Sequence, residues 1–261
     1  MNEDSVQERD GRNANSFLAS ILRGFLPLVM YVVVAGCDAR RENDWQENSR
    51  NAQQQIGFIL RFGFQSYEML YGRLPVATST DPFGAPTMSW RGTIYCCTRS
   101  ALNRETIWFD VPVNWELPWY AQENRLAAVS PCLLYSFERD QHGRPNSAPN
   151  VYSIVGDGTA FAESRPTGRL DLPNDTLLLI ETKGDAVSWL EPIDIDIGDL
   201  HRYRKPVSHP LGQHVGFADG TVWCISLDAP TSELQKLCTI EGAAEFDRQE
   251  VLGRYRILER E

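Results

Sequence analysis

Apolar positions recur at three- and four-residue spacing from Ile56 through Ile59, Leu60, Gly63, Tyr67, Leu70 and Tyr71. That spacing fills one face of a helix, and Gly72 and Pro75 supply its stop. Gly57 and Gly63 within it each cost roughly 1 kcal/mol relative to Ala, which predicts another element packed closely on that side. From residue 74 onward Pro, Gly, Ser and Thr punctuate short apolar segments. The pattern predicts strands at Gly92–Thr98, Thr106–Phe109, Leu133–Phe137, Val151–Val155, Thr176–Glu181, His214–Ala218 and Val222–Leu227. Gln141–Asn150 is a loop by composition. Asp219-Gly220 between the last two strands predicts a hairpin, because Asp-Gly favours a tight turn with positive φ. Val215 and Phe217 then share one face, as do Val222, Cys224 and Ser226. Ser232–Cys238 reads as a short helix started by a Thr231 or Ser232 cap. The sum is an α+β fold: an N-terminal helix on an antiparallel sheet, with long loops between residues 99 and 175.

A different pattern precedes the helix. Residues 25–37, FLPLVMYVVVAGC, are shorter than the ~20 residues a spanning helix needs and match the core of a signal peptide. Arg23 gives the positive flank, and Val34-Ala35-Gly36-Cys37 resembles a bacterial lipobox, in which the cysteine is lipidated after cleavage. Residues 1–37 therefore read as a leader or anchor, and residues 38–261 as one domain that opens on an exposed, charged stretch. Two alternatives stand beside lipidation at Cys37. The apolar run extends back to Phe17, interrupted by Arg23 and Pro27, as an uncleaved anchor would. Arg23-Gly24-Phe25 also resembles a prepilin cleavage site, with Val29 where prepilins carry Glu.

Composition narrows the classes of function. A hydrophobic share of 42% and a charged share of 23% are those of a globular chain. The net charge of −10 argues against a phosphate-tracking nucleic-acid binder, which needs a basic face. None of the six cysteines lies in a Cys-x-x-Cys pair, which disfavours zinc and thioredoxin-like chemistry. With Cys37 lipidated, the remaining five allow two disulfides and a free thiol, and adjacent Cys96 and Cys97 would face opposite ways on a strand.

Candidate chemistry is sparse. His209, His214 and Asp219 invite a metal reading, but His214 and Asp219 project to opposite faces of a regular strand. Asp194, Asp196 and Asp199 form an oxygen-rich calcium candidate, although Lys205 stands where an EF-hand count from Asp194 requires Glu. Glu181 and Glu191 are imaginable as a glycosidase pair whose separation the sequence does not fix. Gly156-Asp157-Gly158-Thr159 lacks the Lys of a phosphate loop. No Gly-x-Ser-x-Gly elbow accompanies any Ser-His-acid combination. Trp90, Trp189 and Trp223 are read as core.

His209, nine residues, then Asp219-Gly220 resembles the His-x9-Asp-Gly signature of a bacterial prepilin-like family of unknown function, abundant in planctomycetes. Further segments match it in order: Gln55-Ile56-Gly57, Tyr71-Gly72-Arg73-Leu74-Pro75, Ser89-Trp90-Arg91, Pro118-Trp119, Asn124-Arg125, Gly156 to Phe161, and Trp189 to Ile195. The family's Cys-Pro-Ser-Asp element is reduced to Pro131-Cys132. The resemblance implies a pseudopilin-like head; together with the N-terminal apolar run and the lack of a catalytic constellation, it leads to the expectation of a non-enzymatic structural or interaction protein, membrane-anchored on the extracytoplasmic side of the bacterial envelope. Envelope or secretion-system proteins are the expected partners, the acidic balance speaks against nucleic acid, and the alternative is a subunit of a secretion or pilus-like machine. A hydrolase using residues 181–199 is the third reading. No cofactor is expected beyond the calcium candidate.

Overall fold

A computed structural model describes residues 45–101, 111–137, 146–162, 168 and 171–258, side chains of residues 99–101 aside. The chain divides into two compact units, Met1–Glu47 and Asn48–Glu261. The apolar run, Cys37 and the candidate cut before Phe25 lie outside the described residues, as does the strand expected at Thr106–Phe109.

In the second unit, residues 48–71 form α1, which passes through a π-helical turn over Ile59–Gly63 before its last stretch, Phe64–Tyr71. Its stop is the one the sequence predicts. Gly72 adopts φ 69° and its N–H donates to the Glu68 carbonyl, a left-handed cap that a side chain would strain. A small hairpin, β1 (Thr78–Thr80) and β2 (Pro86–Ser89), leads into helix α2 (Trp90–Ala101). The strand expected at Gly92–Thr98 is thus helical. Its β-branched residues suggested extension, but Trp90, Ile94 and Tyr95 are buried as one helical face. Cys96 and Cys97 therefore follow helical geometry, not the two faces of a strand.

The close packing expected around Gly63 occurs against α2. A Cβ there would lie 2.8 Å from Ile94 Cγ2. Leu133–Phe137, also expected as a strand, is a turn: Tyr135 and Ser136 N–H both donate to the Cys132 carbonyl, and Phe137 N–H donates to Asn150 Oδ1. A side-chain amide takes the place of a ladder partner. After helix α3 (Arg125–Val129) comes the main sheet: β3 (Val151–Val155), β4 (Leu177–Glu181), β5 (Ile195–Asp196), β6 (Gly212–Phe217), β7 (Val222–Ser226) and β8 (Arg256–Ile257). The spatial order is β5-β3-β4-β6-β7-β8. Every neighbour is antiparallel except β3–β5, which is parallel. The sheet is therefore mixed, because the connection from β4 carries the chain past β3 before β5 begins.

Both faces of the sheet are covered, so β4 is buried at every residue. One core combines α1, α2, Trp90, Trp189, Leu178 and Leu179. The other combines Leu177, Ile180, Val215, Phe217, Trp223 and Ile225 with α4 (Thr231–Cys238) and α6 (Arg248–Leu252). An irregularity in the β4–β6 register between Leu177 and Leu179 accompanies the placing of Leu178 and Leu179 in the same core. Helix α4 begins after Pro230 with no side-chain cap, contrary to the Thr231 or Ser232 expectation. α5 (Ile240–Glu245) is capped by Thr239 and α6 by Asp247.

Helix α1 seats on β6 through Gly216. A Cβ at Gly216 would stand 2.7 Å from Leu60 Cδ1 and 2.9 Å from Ile56 Cγ2. Gly216→Val is therefore expected to destabilise by about 1–3 kcal/mol through overpacking, read as a lowered urea midpoint. An unchanged midpoint would refute close seating of α1 on this strand.

Candidate functional site

Three polar clusters hold the elements together. The first joins α1 to the sheet. β6 carries His214, β4 ends on Glu181, and the segment before β6 carries Ser208. The His214 ring contacts Ser49 of α1 through Nε2 at 3.1 Å, and Glu181 Oε2 and Ser208 Oγ through Nδ1 at 2.5 and 3.1 Å. Glu181 also accepts from the backbone N–H of Ser208 at 2.6 Å and of His214 at 3.2 Å. Ser49, His214 and Glu181 are each 0% exposed. The order hydroxyl, imidazole, carboxylate is that of a proton relay, yet the hydroxyl is sealed in the helix–sheet interface.

Burial pushes the Glu181 carboxyl up, and the His214 contacts together with Ser208 outweigh it, so the group titrates below its usual range. A folded-state value below the unfolded one gives stability that is present above the ordinary glutamate value of 4.5 and is lost as pH falls through the lowered folded value. Glu181→Gln lacks that term. The gap in urea midpoint between the wild type and E181Q should therefore shrink on acidification from pH 6 to pH 3. A gap independent of pH would contradict a charged Glu181.

The second cluster closes the outer edge of β3. Asp194 Oδ1 accepts from Trp90 Nε1 at 3.0 Å, Arg91 Nη1 at 3.1 Å and the Ser153 N–H at 2.9 Å. Arg91 also donates to the carbonyls of Val151, Trp189, Glu191 and Ile193. The pair does the work of a ladder partner where β5 is too short to reach. Burial pushes the Asp194 carboxyl up, further than Arg91, Trp90 and Ser153 pull it down.

The third cluster locks the hairpin tip. Arg248 pairs with Asp175 and Asp219 and lies over the rings of Phe217 and Trp223. Burial raises the Asp219 carboxyl, and Arg248 and Thr221 overcome it, leaving it below its usual range.

These clusters take up His214, Glu181, Asp194 and Asp219 from the residues singled out by sequence. Gly220 has φ 84° and its carbonyl accepts from Arg61 Nε at 3.0 Å, so the Asp-Gly turn is also an α1 contact. Among the described residues no non-glycine has positive φ, so Asp219 does not share the left-handed geometry. It accepts from Thr221 instead, and the turn closes with Gly220 N–H on the Phe217 carbonyl. His209 is buried, its Nδ1 accepting from the Leu211 N–H at 3.1 Å.

Asp194, Asp196 and Asp199 are engaged separately. Asp194 faces Arg91, Asp196 caps the following 3₁₀ helix through the Gly198 N–H, and exposed Asp199 faces Arg202 at 3.5 Å. Among the described residues, no group of three His, Cys, Asp or Glu side chains is placed to hold a metal ion. Glu191 accepts from the Val187 N–H and Glu181 from His214, so these two acids belong to different clusters. Cys97, Cys132 and Cys238 are free thiols, so the two disulfides that five cysteines allow are not formed. Burial pushes Cys132 and Cys238 up to about 12.

Among the described residues no helix is long and apolar enough to cross a membrane. The fold and clusters define a class: an α+β protein whose N-terminal helix is clasped to a mixed sheet by the buried Ser49–His214 contact and the part-buried Arg61–Gly220 hydrogen bond. No protein-family model, curated protein or solved structure matches the chain.

Proposed function

We propose that this chain is a non-enzymatic, membrane-tethered structural or interaction protein of the bacterial envelope, with a pseudopilin-like head facing away from the cytoplasm and a lipid on Cys37. The observation that carries the reading is the fastening of α1 along the sheet. Ser49 meets His214 at one end and Arg61 meets Gly220 further along, so the helix that follows the tether is built into the head. The titratable groups that converge in relay order do so inside that joint, where they hold elements together. The Val34-Ala35-Gly36-Cys37 motif supplies the attachment chemistry. The test is Cys37→Ser in a bacterial host with a lipoprotein pathway. Wild type is expected in the membrane fraction, metabolically labelled by fatty acid, and the variant unlabelled. Equal labelling of the two would overturn the lipid tether.

A further inference from the structure

Residues 114–129 form a loop and a short helix that display large apolar side chains to solvent on a fixed frame. Asn124 is fully buried and makes that frame. Its Oδ1 accepts from the Asn114 N–H at 2.7 Å, and its Nδ2 donates to the carbonyls of Asn114, Leu117 and Pro118 at 2.9, 3.2 and 3.0 Å. Two successive turns, closed by Leu117 N–H on Asn114 and Ala121 N–H on Pro118, are thereby drawn to one side-chain amide. Trp115 sits in the first turn, and Trp119 and Tyr120 in the second. Trp119 N–H is anchored on Thr87 of β2, and Trp189 Nε1 holds the end of α3 through the carbonyls of Ala127 and Ser130.

On this anchored base Trp115 is 63% exposed, Tyr120 66%, Leu126 62% and Val129 65%. The acids Glu116 and Glu123 are exposed among them, against one base, Arg125. Exposed aromatic side chains on a fixed backbone, with exposed carboxylates at neighbouring positions of the same segment, fit cationic groups, because indole and phenol faces attract guanidinium and ammonium and carboxylates pair with them. Trp and Tyr are also the side chains that most often carry binding energy in protein interfaces.

We infer that this loop is a docking surface for a basic segment of a partner protein, one that alternates Arg or Lys with apolar side chains. The charge balance selects this occupant: local acids and a chain charge of −10 repel anionic lipid and nucleic acid. The inference rests on the reading of an interaction protein and names the chemistry of its partner. Its test does not involve the tether, so either can fail alone.

The experiment is fluorescence anisotropy on the full chain in detergent, with a labelled peptide of alternating Arg and Leu, and the same peptide with Glu for Arg. The Arg peptide is expected to bind. W115A/Y120A, which alters only exposed side chains, should weaken it about tenfold, and E116Q/E123Q should weaken it and reduce its salt dependence. Binding of the Arg peptide that W115A/Y120A leaves unchanged would reduce it to general attraction by an acidic protein and overturn the proposal. So would equal affinity for the Glu peptide, or no peptide binding alongside capture of an uncharged oligosaccharide or self-association through the same residues.

Discussion

Arg91→Leu is expected to destabilise the fold by about 3–5 kcal/mol, the cost of leaving a buried charge without its partner. The guanidinium is fully buried and uses all three nitrogens: Nε on the Trp189 carbonyl, Nη1 on Val151 and Asp194, and Nη2 on Glu191 and Ile193. Leucine fills some of the volume but donates to none of these acceptors. Four carbonyls and the Asp194 carboxylate lose a partner together, and the outer edge of β3 loses its cover. Arg91→Lys keeps the charge without the planar fork and should fall between the two. Adding Asp194→Asn to R91L should recover part of the loss, because the stranded charge is gone even though the carbonyls stay unpaired. Urea denaturation of wild type, R91L, D194N and R91L/D194N closes the cycle. R91L within about 0.5 kcal/mol of wild type, the range of an ordinary surface change, would mean that this cluster does not hold the edge.

His214→Ala is expected to have the second large effect, again about 3–5 kcal/mol, because Glu181 is left buried with the Ser208 and His214 backbone N–H groups as its main support. The loss should be uneven. Ser49 loses its partner on the sheet, so the first turns of α1 should exchange amide hydrogens faster, while α4 and α6 on the opposite face keep their protection relative to global stability. The double variant E181Q/H214A should cost less than the sum of its single changes, since both act on one pair. Uniform loss of protection along the chain would show that the cluster supports the core generally and does not clasp the helix.

Much of this architecture was legible in the sequence. The three- and four-residue rhythm and Gly72 located α1 and its end, and alternation with Asp-Gly located β6 and β7. Val151–Val155 and the β4 segment were readable as strands because apolar runs of that length, bounded by turn residues, suit a doubly covered sheet. The helix at Trp90–Ala101 was misread because Thr93, Ile94, Tyr95 and Thr98 favour extension locally, while α1 and Trp189 decide the outcome from far along the chain. β5 and β8 are too short to leave a pattern. The caps Thr239 and Asp247 were visible signals for α5 and α6, but each helix is about as short as a turn.

The candidate site was harder to read. Glu181, Ser49 and His214 come from three separate elements, and no local spacing announces them. Asp194 read as part of an oxygen-rich calcium candidate, because sequence shows its acidic neighbours and hides Arg91, more than a hundred residues earlier. The motif residues Asp219 and Gly220 were correctly placed in a turn, while their contacts with Arg248 and Arg61 required the fold. Asn124 appeared only as part of a motif, and its role follows from the three carbonyls it gathers.

The central claim is that a lipid-tethered chain carries this clasped head, and the most direct test is the intact mass of the protein extracted from native membranes. The account predicts a chain beginning at Cys37 with added acyl groups. A chain beginning at a modified Phe25, or an unprocessed one without acyl groups, would contradict it.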